Sequence, residues 1–240
     1  MKNIPNIITC LNLFAGCIAC VMALTYDNYL GAFVFIVMAA LFDFLDGLAA
    51  RLLNAYSNIG AQLDSLADVI SFGFAPGCIV FSYLSLTTTG TVFNLGLPFF
   101  AFLIPIFAAI RLAKFNVDER QTTSFLGLPV PANGLFWASF IPAIAAFSEI
   151  LPSFIITMIV GILILVFSLL MTSEIPMFSL KFYNYAWKGN EFPYSFILLS
   201  ILTLIFFFLF GYILLGVSVV IILYILMSVI QMQLLKIKIP

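Results

Sequence analysis

Residues 43–68, DFLDGLAARLLNAYSNIGAQLDSLAD, decide how this sequence is interpreted, because they carry four carboxylates within two adjacent apolar stretches. The four carboxylates belong to Asp43, Asp46, Asp64 and Asp68. Each carboxylate left unpaired in hydrocarbon costs about 2.5–3.5 kcal/mol, so four would together cost on the order of 10–14 kcal/mol. We therefore expect cations to lie between them.

The composition around this stretch is typical of a chain whose usual surroundings are lipid. Of its 240 residues, 64% are hydrophobic, only 8% are charged, and 28 are Phe. The net charge of −1 offers no basic field for nucleic acid, so we expect no nucleic-acid partner. The sequence therefore predicts an integral membrane protein surrounded by membrane lipids.

Apolar stretches of about 20 residues are long enough to cross about 30 Å of hydrocarbon as helices. They predict an all-α polytopic membrane protein, a helical bundle of about eight transmembrane helices in one transmembrane domain, residues 1–240. The predicted spans are 4–25, 29–51, 59–84, 97–116, 130–148, 151–171, 193–211 and 213–233.

The basic residues predict how these spans are oriented, because cytoplasmic loops carry an excess of Lys and Arg. With the N-terminus in the cytoplasm, all nine basic residues fall at cytoplasmic ends or loops, while the opposite loops carry only Asp27 and Glu149. The nine are Lys2, Arg51, Arg111, Lys114, Arg120, Lys181, Lys188, Lys236 and Lys238. We therefore expect a protein of the cell membrane with both termini in the cytoplasm.

The spacing of the carboxylates predicts two acidic helix faces that meet. Asp43 and Asp46 are three residues apart and Asp64 and Asp68 are four apart, so each pair lies on one face of its helix. The short polar connection at residues 51–58 makes the two helices antiparallel neighbours. Because Asp43 lies only about 12 Å of helix from the start of this connection, the site should open to the cytoplasm.

Four converging carboxylates predict a site for divalent cations, because Mg²⁺ and Mn²⁺ prefer hard oxygen ligands. Two such ions would balance four negative charges. The small residues Gly47, Ala50, Gly60 and Ala61 leave space beside the carboxylates, which suits a phosphorylated substrate bridging two metals.

Two alternatives remain open for the acidic cluster. The first is that some carboxylates are solvated helix ends or ion-pair partners. The second is that the protein is a cation- or proton-coupled membrane transporter, for which intramembrane carboxylates are also typical. Against a transporter, the acids cluster at one membrane face, and no pair of broken helices is evident in two matching halves.

The acidic stretch resembles the signature of the CDP-alcohol phosphatidyltransferase family. The matching pattern is D-x-x-D-G-x-x-A-R from Asp43 to Arg51, then eight residues, then G-x-x-x-D-x-x-x-D from Gly60 to Asp68. The resemblance implies a catalytic six-helix core, in residues 1–171, followed by two additional C-terminal spans in residues 172–240. It also implies a homodimer, a site for two Mg²⁺ or Mn²⁺ ions, and transfer of a phosphatidyl-type group from a CDP-linked lipid to an alcohol, with release of CMP.

Short strings around the signature are similar to those of one branch of the family, the integral-membrane phosphatidylserine synthases, which use L-serine as the acceptor. The strings are Pro5-Asn6-x-x-Thr9, FDFLDG at 42–47, AQLDSLADVISFG at 61–73, RLAKFN at 111–116 and GLPVPA at 127–132. The lipid donor implied is CDP-diacylglycerol or, with ether-linked tails, CDP-archaeol. Inositol phosphate and glycerol phosphate remain alternative acceptors, although Val69 stands where phosphatidylglycerophosphate synthases generally have Lys.

The resemblance also implies a role for each signature residue. Asp43, Asp46 and Asp64 would be metal ligands, with Asp64 bridging two ions, while Asp68 would complete the metal site and act as the general base. The CDP-lipid pocket would be lined by Asp46, Gly47, Ala50, Arg51, Gly60 and Asp64.

The charges of serine extend this prediction to the fourth span. Arg111 and Lys114 can supply cations for a serine carboxylate or a phosphate. Asp118, Glu119 or one of the four signature aspartates can face the ammonium group. The alternative is that the basic residues anchor the helix at the interface or contact lipid phosphates.

A polar stripe on the first span is a further candidate for the acceptor pocket. It consists of Asn6, Thr9 and Asn12, spaced three residues apart. We predict that Asn6 and Thr9 contribute to acceptor binding. The alternative is that the stripe forms hydrogen bonds to a neighbouring helix.

Overall fold

A computed structural model of the protein describes residues 3–89, 96–117, 125–147, 152–178, 187 and 190–234. The helices in this part are α1 Ile4–Tyr26, α2 Tyr29–Leu52, α3 Asn58–Asp68, α4 Ala75–Thr87, α5 Leu103–Val117, α6 Val130–Ala145, α7 Ser153–Thr172, α8 Glu191–Leu209 and α9 Ile213–Leu234. A π-helical segment, Val69–Phe74, joins α3 to α4, and a 3-10 helix, Leu97–Phe102, leads into α5. Two short antiparallel strands, β1 Phe125–Leu126 and β2 Pro176–Met177, pair with each other.

The helical runs confirm the predicted all-α polytopic fold. Within the described residues, seven runs are long and apolar enough to cross a membrane, including one continuous run of 30 residues, Asn58–Thr87. The predicted span 130–148 is shorter in the structure, because α6 has 16 residues and so a length of about 24 Å. α6 begins at Val130, as predicted, so the difference lies at its C-terminal end, where the helix stops at Ala145.

The π-helical segment lies directly after Asp68 and has a cause in the sequence. Pro76 lacks the N–H that would complete an α-helical hydrogen bond to Phe72, and its ring clashes with a regular helix at that carbonyl. The helix widens upstream instead, and the backbone N–H of Ala75 donates to the carbonyl of Ile70, five residues earlier. The wider turn follows the acidic face of α3.

The helix α1 packs against α2, α3 and α4. Its buried face is lined by small residues, including Ala15, Gly16 and Ala19. Small residues let helix backbones approach closely in a membrane. Gly16 shows such a close approach, because an added Cβ there would lie 2.8 Å from the Cα of Ser71.

The connection between α2 and α3 is short, as the sequence predicted. Asn54 adopts a positive φ of 47°, a conformation that Asn tolerates better than most residues. Ser57 caps α3, because its side chain accepts a 3.0 Å hydrogen bond from the backbone N–H of Gly60. The chain therefore reverses at residues 53–57 and brings α2 and α3 to opposite sides of a cleft.

The C-terminal hairpin of α8 and α9 is attached to the bundle mainly through α6, against which α9 packs. A buried hydrogen bond of 2.8 Å joins Ser139 of α6 to Ser218 of α9. Farther along α9, the hydroxyl of Tyr224 donates to the backbone carbonyl of Phe178, at 3.0 Å. The division into a core and two additional spans stays a prediction.

Several charged residues for which the sequence predicted a location or a role lie outside the described residues. They are Lys2, Asp118, Glu119, Arg120, Glu149, Lys181, Lys188, Lys236 and Lys238. Of the described basic residues, Arg51 lies in the last turn of α2 and Lys114 in the last turn of α5. Arg111 lies one turn before Lys114 on α5. The end of α5 is tied to α3, because Asn116 donates a 3.0 Å hydrogen bond to the hydroxyl of Ser65.

Candidate functional site

A cavity of about 670 Å³ lies between α2 and α3, with α1 as its back wall. This volume is within the usual range for sites that bind small molecules and cofactors, about 300–1,000 Å³. Its lining includes the following predicted site residues: Asn6, Thr9, Asp43, Asp46, Gly47, Ala50, Arg51, Gly60 and Asp64. The two halves of the acidic stretch therefore face one cavity.

Three carboxylates converge beside this cavity. Asp43, Asp64 and Asp68 each offer one oxygen, and these oxygens all lie within 4.8 Å of one another. The first comes from α2, and the other two lie one turn apart on α3. Asp68 is buried, while Asp43 and Asp64 are half-buried. We refer to these three residues as the carboxylate triad.

The triad fits a divalent cation. Carboxylates this close repel one another when ionised, and burial strengthens the repulsion. Oδ1 of Asp64 is buried and has no hydrogen-bond partner in the described part of the chain. Buried polar atoms are rarely left unpaired, so an unpaired carboxylate oxygen inside an acidic cluster is typical of a cation ligand.

Asp46, predicted as a further metal ligand, lies outside the triad but in the same cavity. It is buried, and its Oδ2 accepts a 2.6 Å hydrogen bond from the hydroxyl of Thr9. The Thr9 hydroxyl also lies 3.0 Å from the carbonyl oxygen of Pro5. Thr9 therefore forms the contact between helices that was one of the two interpretations of the polar stripe.

Asn12 contacts the triad, a role that its sequence position did not reveal. The side chain is fully buried, and its Nδ2 donates to Oδ1 of Asp68 at 3.4 Å. The signal in the sequence was the spacing of three residues in the polar stripe, which places Asn12 one turn deeper than Thr9. That spacing indicates a shared helix face but not the partner of each side chain.

The two signature glycines serve different purposes. A Cβ added to Gly47 would meet no atom within 4 Å, so this position faces the open cavity. A Cβ added to Gly60 would lie 3.0 Å from Oδ1 of Asn6 and from the hydroxyl of Ser57. Gly47 thus leaves room for a ligand, whereas Gly60 permits close packing of α1 against the start of α3.

The residues predicted to bind the acceptor on α5 differ in their surroundings. Arg111 is buried, and its Nε and Nη2 atoms have no hydrogen-bond partner in the described part of the chain. Its guanidinium lies 5.6 Å from the centre of the Phe115 ring and interacts electrostatically with Asp68 and Tyr224. Lys114 is exposed. The structure therefore brings Arg111, but not Lys114, into a buried position near the triad.

Comparison with known proteins adds to this geometry. The family model described as CDP-alcohol phosphatidyltransferase matches residues 2–170, which contain the whole acidic stretch. Three similar proteins are named CDP-diacylglycerol–serine O-phosphatidyltransferase. The Bacillus subtilis protein is 37% identical over 139 residues, which are 56% of this chain and 73% of that protein. The Methanocaldococcus jannaschii protein is 33% identical over 185 residues, 76% of this chain and 78% of that protein. The Helicobacter pylori protein, strain 26695, is 37% identical over 130 residues, 53% of this chain and about half (52%) of that protein.

Proposed function

The chain belongs to the CDP-alcohol phosphatidyltransferase family, and we propose that it transfers a phosphatidyl or archaetidyl group from a CDP-linked lipid to the hydroxyl of L-serine. The observation that carries this proposal is the carboxylate triad, whose oxygens lie within 4.8 Å of one another beside a cavity of about 670 Å³. The similar proteins named as serine O-phosphatidyltransferases support serine as the acceptor. The family match also favours a transferase over a transporter.

The triad supports binding of Mg²⁺ or Mn²⁺, with two ions per site. The carboxylates that would hold them are Asp43, Asp46, Asp64 and Asp68. Asp46 lies one helical turn from Asp43 and lines the same cavity. A bound divalent cation supplies positive charge for the phosphate oxygens on which negative charge develops.

The donor would lie in the cavity with its nucleotide near Gly47, where no protein atom would meet a Cβ. Arg51 is exposed at the end of α2 and lines the same cavity, so it can contribute positive charge beside the diphosphate. Phe44 also lines it and is 61% exposed, which suits a donor with apolar tails. CDP-diacylglycerol and CDP-archaeol both fit this description.

The proposed reaction is direct displacement at the phosphorus that is bonded to the lipid glycerol. The serine oxygen bonds to this phosphorus, the bond from phosphorus to the oxygen of CMP breaks, and CMP leaves with the electron pair. Asp68 accepts the hydroxyl proton of serine, and a positioned base typically contributes about 10²–10⁴-fold to rate. The sequence has no His, and no Cys lines the cavity, so a covalent enzyme intermediate is disfavoured.

The test is a CMP-release assay on the purified protein with a CDP-linked lipid, Mn²⁺ or Mg²⁺, and a panel of alcohols. We expect CMP to form with L-serine and not in excess chelator. Release with inositol phosphate or glycerol phosphate alone would show that the acceptor is wrong while the reaction class stands. Ion or solute transport by proteoliposomes without CMP formation would favour the transporter.

Arg111→Ala should raise the KM for serine far more than the KM for the CDP-linked lipid. Arg111 is buried, and two of its nitrogens have no hydrogen-bond partner among the described residues, which suits a carboxylate of the acceptor. Losing a hydrogen bond to a charged group costs about 1.5–3 kcal/mol, or roughly 10- to 150-fold in KM. Steady-state kinetics with each substrate varied in turn would measure both constants.

The matched control is Lys114→Ala on the same helix. Lys114 is exposed, so its removal should change the KM for serine much less than removal of Arg111. Equal increases in the KM for both substrates in Arg111→Ala would indicate that Arg111 acts on the diphosphate or on the packing of α5 instead.

We further propose that the cavity opens to the cytoplasm and that both termini lie there, as the distribution of basic residues indicates. Cysteine introduced at Asn54, after the four native Cys are replaced, should resist an impermeant reagent added to intact cells and react after lysis. Labelling from outside would contradict this orientation.

The homodimer implied by the family stays a proposal, which light scattering of the solubilised protein would test.

A further inference from the structure

The helix α1 supplies hydrogen-bond donors to both acidic helices. Thr9 donates to Asp46 of α2, and one turn deeper Asn12 donates to Asp68 of α3. Of these two carboxylates, only Asp68 belongs to the triad. The contact between Asn12 and Asp68 therefore links α1 directly to a residue proposed to hold the metal.

Backbone packing holds Asn12 opposite Asp68. The hydroxyl of Ser71 donates to the backbone carbonyl of Asn12 at 3.0 Å. Asn12 and Gly16 lie on one face of α1, and Asp68 and Ser71 lie three residues apart on the facing helix. Because Gly16 has no Cβ, the two backbones come close enough for these contacts. The position of the Asn12 side chain is thus fixed by the packing of the two backbones.

The surroundings of Asn12 argue against a purely structural role. The side chain is completely buried, and its Oδ1 has no hydrogen-bond partner in the described part of the chain. Among the described residues, its side-chain amide donates to Oδ1 of Asp68. Burying an amide with an unpaired oxygen is unfavourable, and an apolar residue would fill the same space without this cost. What Asn adds at this position is a donor to the carboxylate.

We propose that Asn12 is a positioning residue that fixes the rotation of the Asp68 carboxylate within the triad. Its N–H group holds Oδ1, which leaves the other oxygen of Asp68 to face the centre of the triad. Groups that orient metal ligands in this way typically change metal affinity or activity by 10–100-fold when they are removed. This inference rests on the proposed function, because it requires the triad to bind a divalent cation.

The experiment measures Mn²⁺ binding to the purified full-length protein by electron paramagnetic resonance and isothermal titration calorimetry. Asn12→Leu removes the donor but keeps a side chain of similar shape. We expect its Mn²⁺ affinity to fall by roughly 10–100-fold, with a matching increase in the Mn²⁺ concentration needed for half-maximal CMP release. Asn12→Ala should show the same loss and serves as the second variant if Leu at this position prevents folding.

The matched control is Ser139→Ala, which removes a buried hydrogen bond of 2.8 Å to Ser218 away from the cavity. It should lower thermal stability without changing Mn²⁺ affinity. Wild-type Mn²⁺ affinity in a folded Asn12 variant would overturn the inference alone, as would equal losses of affinity in the Asn12 and Ser139 variants. A wild-type protein that does not bind Mn²⁺ would overturn both this inference and the proposed metal site.

Discussion

Asp64→Asn should abolish both Mn²⁺ binding and CMP release. The substitution keeps the size of the side chain but removes one of the three charges that converge within 4.8 Å. Oδ1 of Asp64 is buried and has no hydrogen-bond partner among the described residues, so a bound cation would supply its partner. The loss of affinity should exceed the roughly 10–100-fold effect of residues that only orient metal ligands. Calorimetry with Mn²⁺ and the CMP-release assay measure the two quantities.

Asp27→Asn provides the matched control for this experiment. Asp27 is exposed in the turn between α1 and α2, where it accepts a 2.8 Å hydrogen bond from the hydroxyl of Ser82 and does not line the cavity. This variant should bind Mn²⁺ and release CMP as the wild-type protein does. Unchanged Mn²⁺ affinity in a folded Asp64→Asn protein would contradict the assignment of the triad as a metal site.

The features that the sequence predicted correctly depend on local periodicity. Spacings of three and four residues put Asp43 beside Asp46 and Asp64 beside Asp68 on their helices. The short polar connection then places the start of α3 close to the end of α2, so the two acidic faces can reach one cavity. The membrane spans were predictable for the same reason, because the thickness of hydrocarbon fixes the length of an apolar helix.

The features that the sequence did not predict depend on contacts between helices. Asp43 and Asp46 have the same residue type and lie on one face, yet only Asp43 joins the triad, because Asp46 is turned toward the hydroxyl of Thr9. Likewise, Arg111 is buried and Lys114 exposed although they are three residues apart. Small angular differences on a helix decide such outcomes, and they are set by the neighbouring helices.

The π-helical segment was also missed, although Pro76 was a visible signal. A proline within an apolar span predicts a disturbance of the helix, but it does not specify whether the helix kinks, breaks or widens. Here the helix widens over Val69–Phe74, immediately after Asp68. The widened turn packs against α1 near Asn12, and this packing explains why the partner of Asp68 could not be inferred from spacing alone.

Asp68→Asn should lower the turnover number by about 10²–10⁴-fold, even at Mn²⁺ concentrations that saturate the variant. The side chain is buried beside the other two carboxylates of the triad, and its carboxylate is the group proposed to accept the hydroxyl proton of serine. Asn cannot accept that proton, but its carbonyl oxygen can still face a cation. Mn²⁺ binding should therefore survive in weakened form while turnover is lost.

Excess Mn²⁺ distinguishes a role of Asp68 in metal binding from a role in proton transfer. If Asp68 acts only as a ligand, excess Mn²⁺ should restore the turnover number of Asp68→Asn, because the loss would then come entirely from an empty metal site. If Asp68 is the base, saturating Mn²⁺ leaves the defect in place and the KM for the CDP-linked lipid changes little. Restored turnover at high Mn²⁺ would contradict the role of Asp68 as the base and leave it as a third carboxylate ligand.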